Sequence, residues 1–265
     1  MITQQKQYAL ITGATSGIGY ELAKLFAADQ YNLVIIAQDQ EELDKTASEL
    51  GQSGIDVLTI ARDLSQRQAP FEIYESVKAK GIQIDVLVNN AGQGQYGLFV
   101  DNDIERELDM IQLNVDAYVV LTKFFLQEMI VRNDGKILNV ASTASQLPGP
   151  WQAVYHATKA FVLSFTEAIR EEVKDSGVTI TALQPGPTDT DFFRKAQMEN
   201  SKAVKEGSLA DPAGVAKDGY DALMAGDDKV ISGIKNKVQV AMSNLMPESM
   251  VASTVEKQQQ PVDEQ

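Results

Sequence analysis

The sequence predicts an α/β domain, a single doubly wound parallel sheet of about seven strands with helices on both faces. Two observations carry this expectation. Short apolar runs alternate with longer stretches of helical periodicity along most of the 265-residue chain, which is the pattern of strand–helix–strand units. A glycine-rich segment, Gly13-Ala14-Thr15-Ser16-Gly17-Ile18-Gly19, lies between the first apolar run and the first helical pattern.

Tyr8 to Thr12 is the first run and reads as a buried parallel strand. Leu22, Leu25 and Phe26 then recur at helical spacing, and Asn32 to Ala37 reads as a second strand. Glycines at such a strand–helix turn let the backbone approach a pyrophosphate. The helix N-terminus adds N–H groups and the positive end of its dipole. A tight turn with no ligand is the plainer alternative. Gln40 to Leu50 is a charged helix, and Val57 to Ala61 is a third strand ending in Arg62-Asp63-Leu64. Asp63 is placed where a strand end meets an adenine ring. Ala69 to Lys80 is helical, and Ile84 to Val88 is a fourth strand running into Asn89-Asn90-Ala91-Gly92. Small residues there allow close approach of a cofactor, and Asn90 can tie neighbouring strand ends together.

Asp103 to Met129 is a long helical stretch with a break expected near Asn114. Asn114 lies between Leu113 and Val115, so it is either a satisfied core asparagine or the holder of a water in a proton relay. Lys136 to Val140 is the fifth strand and leads to Ser142. Gln152 to Lys174 is a helix with Phe161, Phe165, Ala168 and Ile169 on its apolar face. Val178 to Leu183 is the sixth strand, stopped by Pro185-Gly186-Pro187-Thr188. Residues 189–210 have little periodicity and read as a substrate lid or as a plain surface connection. Asp211-Pro212 is a helix start, Lys229 to Ser232 a last strand, and Lys235 to Leu245 a partly amphipathic helix. The catalytic domain is expected over 1–240, with an extension over 241–265 whose polar end, Glu256 to Gln265, is expected to be disordered.

The chemistry converges on Tyr155-His156-Ala157-Thr158-Lys159. On a helix, positions four apart share a face, so the phenol and the ammonium can reach one site. A lysine beside a phenol lowers its pKa towards working pH. The Ser142 hydroxyl can hydrogen-bond a substrate oxygen. A tyrosine acid/base, a tuning lysine and an orienting serine suit carbonyl and alcohol chemistry.

Composition removes other classes. There is no cysteine and only one histidine, His156, so thiolate catalysis, disulfides and a Cys- or His-based metal cluster are excluded. His156 points about 100° away from Tyr155 on a helix and reads as packing or surface. A net charge of −14 argues against nucleic acid and anionic membrane surfaces. No apolar run approaches the roughly 20 residues that span a bilayer, and Met1 to Gln7 is polar, so a cytoplasmic location is expected.

Taken together, Thr12 to Gly19, Asn89 to Gly92, Asn114, Ser142, Tyr155-x-x-x-Lys159 and Pro185 to Thr188 resemble the short-chain dehydrogenase/reductase family over about residues 8–233. The likeness is to its bacterial members of poorly defined substrate. The resemblance implies a Rossmann-type domain and an NAD or NADP cofactor. Gly13, Thr15, Ser16, Gly17, Ile18 and Gly19 would cradle it, Gln38 and Asp39 would face its ribose, and Asp63 and Leu64 would bracket adenine. Asn90, Ala91 and Gly92 would line it, and Pro185, Gly186 and Thr188 would pack on the nicotinamide side. Tyr155 would be the acid/base, Lys159 would lower its pKa and hold the nicotinamide ribose, Ser142 would position the carbonyl, and Asn114 would anchor a relay water. It also implies a homodimer or homotetramer, built partly from the 103–129 and 152–174 helices. No metal is implied. Ala37 is followed by Gln38, Asp39 and Gln40, with no cation for a 2′-phosphate, which leans the cofactor towards NAD. Leu147, Trp151, Tyr96, Phe192 and Phe193 would form an apolar substrate pocket. The expected function is hydride transfer between a nicotinamide cofactor and a hydrophobic ketone or secondary alcohol. The alternatives are a non-catalytic dinucleotide-binding regulator or scaffold, and a helix at 235–245 that docks on a membrane or partner.

Overall fold

The computed structural model describes residues 6–243 and 245–262. Seven strands form one parallel sheet in the order β3-β2-β1-β4-β5-β6-β7. They are β1 (Tyr8–Thr12), β2 (Asn32–Ala37), β3 (Val57–Ala61), β4 (Val86–Asn89), β5 (Gly135–Val140), β6 (Val178–Gln184) and β7 (Lys229–Ile231). The order reverses between β1 and β4, so the carboxyl ends of those two strands flank the crevice where open α/β sheets bind ligands.

The helices are α1 (Gly17–Ala28), α2 (Gln40–Leu50), α3 (Ala69–Ala79), α4 (Ile104–Ile111), α5 (Ala117–Arg132), α6 (Ala153–Glu172), the single turns α7 (Phe192–Lys195) and α8 (Lys202–Lys205), then α9 (Pro212–Ala225), α10 (Ile234–Ser243) and α11 (Glu248–Gln259). Strand side chains alternate faces. Ala9 and Ile11 of β1 join Leu22 and Phe26 of α1 and Leu223 of α9. Leu10 joins Ile73 of α3 and Phe125 of α5 on the other face. This two-sided burial is why the strands read as unbroken apolar runs.

Three details depart from expectation. The fourth strand begins at Val86 rather than Ile84, because Asp85 uses its carboxylate to accept the Tyr8 N–H at 2.9 Å. The break at Asn114 is a π-helical turn, Gln112–Asp116, that joins α4 to α5 without ending the helix. The polar end expected to be disordered is helical through Gln259 in α11. Val251 and Val255 are buried, Tyr96 Oη donates to the Gln259 carbonyl at 2.5 Å, and a bridge joins Ser201 to Pro261. Residues 263–265 of that expectation lie outside the described residues.

Candidate active site

A cavity of about 850 Å³ runs along the carboxyl ends of the central strands. At one end lies the β1–α1 turn. Gly13 and Gly17 have φ of 68° and 55°, a region that favours glycine. A Cβ on Gly19 would lie 2.2 Å from the Gly13 carbonyl oxygen and 2.3 Å from Asn90 Nδ2, so that helix start accepts no side chain. Ser16 N-caps α1 without a side-chain bond, which leaves its hydroxyl and the first N–H groups of α1 for a ligand. Asn90 Nδ2 donates to the carbonyls of Thr12 (2.9 Å) and Gly13 (3.2 Å). Thr12 Oγ1 accepts from the N–H groups of Asn90 (2.9 Å) and Ala91 (3.0 Å). The ends of β1 and β4 are thereby locked side by side.

Gly13, Thr15, Ser16, Gly17, Ile18, Gln38, Asp39, Leu64, Asn90, Ala91, Gly92, Pro185, Gly186 and Thr188 all line the cavity. Asp63 does not. Its carboxylate accepts from the Ser65 N–H (2.9 Å), the Ser65 hydroxyl (2.8 Å) and the Gln38 amide (2.7 Å). Burial alone would raise its pKa, but these bonds outweigh burial and hold it below the usual carboxylate range. Asp39 lines the cavity and also caps α2, accepting the Glu42 N–H at 2.9 Å. The sequence reading missed Arg62. The Ala37–Ala61 register brings Arg62 beside Gln38, where it lines the cavity, so a cation does stand beside the residues that follow Ala37. Its guanidinium is engaged by Glu72 at 2.7 Å and by the Ala61 carbonyl at 2.8 Å.

At the other end, β5 delivers Ser142 and α6 delivers Tyr155 and Lys159 to the same wall. Ser142 Oγ donates to the Pro185 carbonyl at 3.4 Å and accepts the Ala144 N–H at 3.1 Å. Lys159 is buried, and its Nζ donates to the Val140 carbonyl at 2.9 Å. Burial pulls its pKa down from 10.5 to about 8. Nζ stands 6.0 Å from the centre of the Tyr155 ring. The expected lowering of the phenol's pKa is not what this geometry produces. Burial pushes Tyr155 up to about 12, and the nearby Ser142 hydroxyl acts in the opposite direction. The lysine's hydrogen bond goes to the Val140 carbonyl and not to the phenol oxygen.

Asn114 is fully buried behind Lys159. Its amide donates to the Gln93 carbonyl (2.9 Å) and Thr158 Oγ1 (3.1 Å), while Oδ1 accepts the Gln93 N–H (3.0 Å). A Cβ on Gly92 would lie 3.3 Å from Asn114 Oδ1 and 3.4 Å from Lys159 Nζ, so these three groups meet at one point. His156 is buried, with Nδ1 2.8 Å from the Leu147 carbonyl. Burial lowers its pKa, which suits a neutral ring that fixes the 147–149 loop.

Among the pocket residues, Leu147, Phe192 and Phe193 line the cavity, and the Phe192 ring lies 5.1 Å from that of Tyr155. Trp151 and Tyr96 stack on one another at 5.5 Å and are not on the wall. Trp151 has a φ of 69°, and its carbonyl accepts the Gly97 N–H at 2.9 Å. Helix α11 brings Gln259 to the cavity instead. Gln259 Nε2 donates to Gln152 Oε1 at 3.3 Å, while Gln152 Nε2 and Gln259 Oε1 are buried without partners. Only a remote packing contact puts Gln259 there, and no sequence pattern marks it.

A glycine cradle with free helix-terminal donors, joined to a serine, tyrosine and lysine on one wall, defines a dinucleotide-linked oxidoreductase of the Rossmann-type fold. A profile of the short chain dehydrogenase family matches residues 7–201, and the chain belongs to that family. The chain is 31% identical over 245 residues to Escherichia coli oxidoreductase UcpA, covering 87% of this chain and 92% of that one. It is 34% identical over 185 residues to a very-long-chain 3-oxoacyl-CoA reductase of Anas platyrhynchos, covering 67% of this chain but 58% of the relative. Among solved structures, a short-chain dehydrogenase from Sphingobium yanoikuyae in complex with NADPH superposes with a TM-score of 0.81 at 27% identity, over 91% of this chain and 95% of that one. The bulky-bulky ketone specific alcohol dehydrogenase from Comamonas testosteroni superposes with a TM-score of 0.76 at 27% identity, over 91% and 93% of the two chains.

Proposed function

We propose that this chain interconverts a hydrophobic ketone and its secondary alcohol, with Tyr155 as the general acid/base. The observation that carries the reading is that Ser142, Tyr155 and Lys159 share one wall with the glycine cradle. A bound nicotinamide would supply or accept the hydride at the substrate carbon. In the reducing direction the Tyr155 hydroxyl donates its proton to the carbonyl oxygen, which the Ser142 hydroxyl holds by a second hydrogen bond. A phenol held at about 12 carries its proton at neutral pH and is ready to give it. Lys159 stabilises the phenolate left behind. Asn114 holds Gln93 and Thr158 in register and anchors the water that returns the proton. A purely dinucleotide-binding regulator needs the cradle alone, and the Ser142–Tyr155–Lys159 wall argues against that second reading. The apolar residues Leu147, Phe192 and Phe193 favour a hydrophobic substrate, as do the long-chain and bulky-ketone names of the relatives.

The cofactor we favour is NAD. Asp39 would put a carboxylate at the ribose end, and Glu72 engages the nearby cation Arg62. We assign the catalytic domain to 1–240, with 189–210 as the substrate lid, because Phe192 packs over Gly94 and Thr190 over Gly17. The extension, 241–265, completes the cleft. We also propose a homodimer or homotetramer and a cytoplasmic location. No helix among the described residues is long and apolar enough to cross a membrane. Tyr155→Phe should lower kcat by about 10²- to 10⁴-fold and leave NADH binding, read by fluorescence quenching, within twofold of the parent. Retained turnover would remove Tyr155 from the acid/base role.

A further inference from the structure

Beyond Leu147 the reaction cleft adjoins a second cavity of about 480 Å³ between α10 and α11. Leu147, Gln239, Val255 and Gln258 stand on the walls of both spaces. The second space is walled by Val238, Met242 and Met246 on one side and by Val251 and Val255 on the other. Lys235 is the one charged side chain among its lining residues, and it is exposed. A polar occupant would leave its hydrogen bonds unmade against such walls. Methionine side chains adapt to flexible apolar shapes. The geometry starts at the reacting wall: Leu147 is fixed by His156, the residue next to Tyr155.

We propose that this groove is the tail subsite of the substrate: the carbonyl compound carries a long unbranched aliphatic chain that runs from Tyr155 past Leu147 to lie between α10 and α11. The proposal rests on the oxidoreductase reading above and names the substrate class for that site. The occupant is the substrate's own chain because the groove abuts the reaction cleft, with only the side chains of Leu147, Gln239, Val255 and Gln258 standing between the two spaces. A surface patch made for a partner needs no such connection.

The test is a series of methyl ketones, butanone through dodecanone, assayed with NADH and NADPH on the parent and on Val238→Asp and Met242→Lys. Both substituted residues are more than half exposed, at 52% and 60%, so the fold tolerates a charge there, and circular dichroism checks it. In the parent, kcat/KM should climb by about fourfold per added methylene before levelling off. Both variants should flatten that climb and keep butanone turnover within twofold. A flat series in the parent, or an unchanged slope in both variants, overturns the proposal. So does a change in sedimentation with the slope intact, which would give this face to a second copy of the chain. If the parent turns over no ketone of any length, the oxidoreductase reading fails instead. Binding of the fluorescent fatty acid cis-parinaric acid then decides the groove: loss in both variants supports it, and unaltered binding refutes it.

Discussion

Lys159 carries the sharpest energetic consequence of any single residue here. Its ammonium is buried, with one backbone carbonyl as its hydrogen-bond partner. Depression of its pKa from 10.5 to about 8 means that folding disfavours the charge by roughly 3 kcal/mol. Below pH 8 both folded and unfolded chains hold the proton, and the full cost is present. Between 8 and 10.5 the folded chain sheds the proton first, so the unfolded chain binds more protons and stability rises with pH. Lys159→Met should therefore be more stable than the parent at pH 7, by on the order of 2 kcal/mol after loss of the bond to Val140, and the gap should close by pH 10.5. Urea unfolding at both pH values reads this, and a less stable variant at pH 7 would contradict it. Such a residue is kept for function. At the ribose end, Asp39→Asn keeps the cap on α2, since asparagine caps as well as aspartate, and removes the charge. The ratio of kcat/KM for NADP to that for NAD should rise by about tenfold, a gain of roughly 1.4 kcal/mol for a phosphate no longer facing a carboxylate. An unmoved ratio would show that Asp39 does not set the preference.

At the scale of elements, the β1–α1 turn is the least tolerant part of the structure. Gly19→Ala would drive a Cβ to 2.2 Å from the Gly13 carbonyl, and strand ends tied by Asn90 cannot separate to admit it. A loss of about 1–3 kcal/mol is expected, together with loss of dinucleotide affinity. Thermal denaturation and cofactor titration measure the two effects, and a parent-like Tm would show that the turn relaxes. This turn and the five inner strands were legible in the sequence, because glycine's freedom and two-sided burial write directly into residue type. The π-turn at 112–116 was visible only as a break, since its form depends on Asn114 bonding Gln93, 21 residues away. Helix α11 was not legible at all. Only Val251 and Val255 of its side chains are buried apolar ones, and its order comes from packing against the cleft and from the Tyr96–Gln259 bond.

At the scale of the whole molecule, apolar surface remains uncovered. Ile104, Leu108 and Ile111 of α4 and Phe161 of α6 are exposed, in the two helical segments from which the oligomer was expected to be built. A patch of this kind marks an interface. Sedimentation velocity should give a dimer or tetramer for the parent. Ile104→Asp with Leu108→Asp should shift it towards monomer while the chain stays folded. A parent that sediments as a monomer would refute the assembly.

The sequence by itself determined the parallel sheet and the glycine-rich turn, and it singled out Ser142, Tyr155, Lys159 and Asn114 as the candidate site. Each of these is written locally, in residue type and in spacing along one strand, turn or helix. The tertiary structure alone decided that Asp63 turns away to Ser65 and Gln38, that Arg62 stands beside Gln38 on the cavity wall, that Trp151 leaves the wall, and that Tyr155 is held high by burial. It alone placed α11 across the cleft. Those outcomes depend on which distant side chains compete for the same hydrogen bonds and the same space, and local spacing carries no record of that competition.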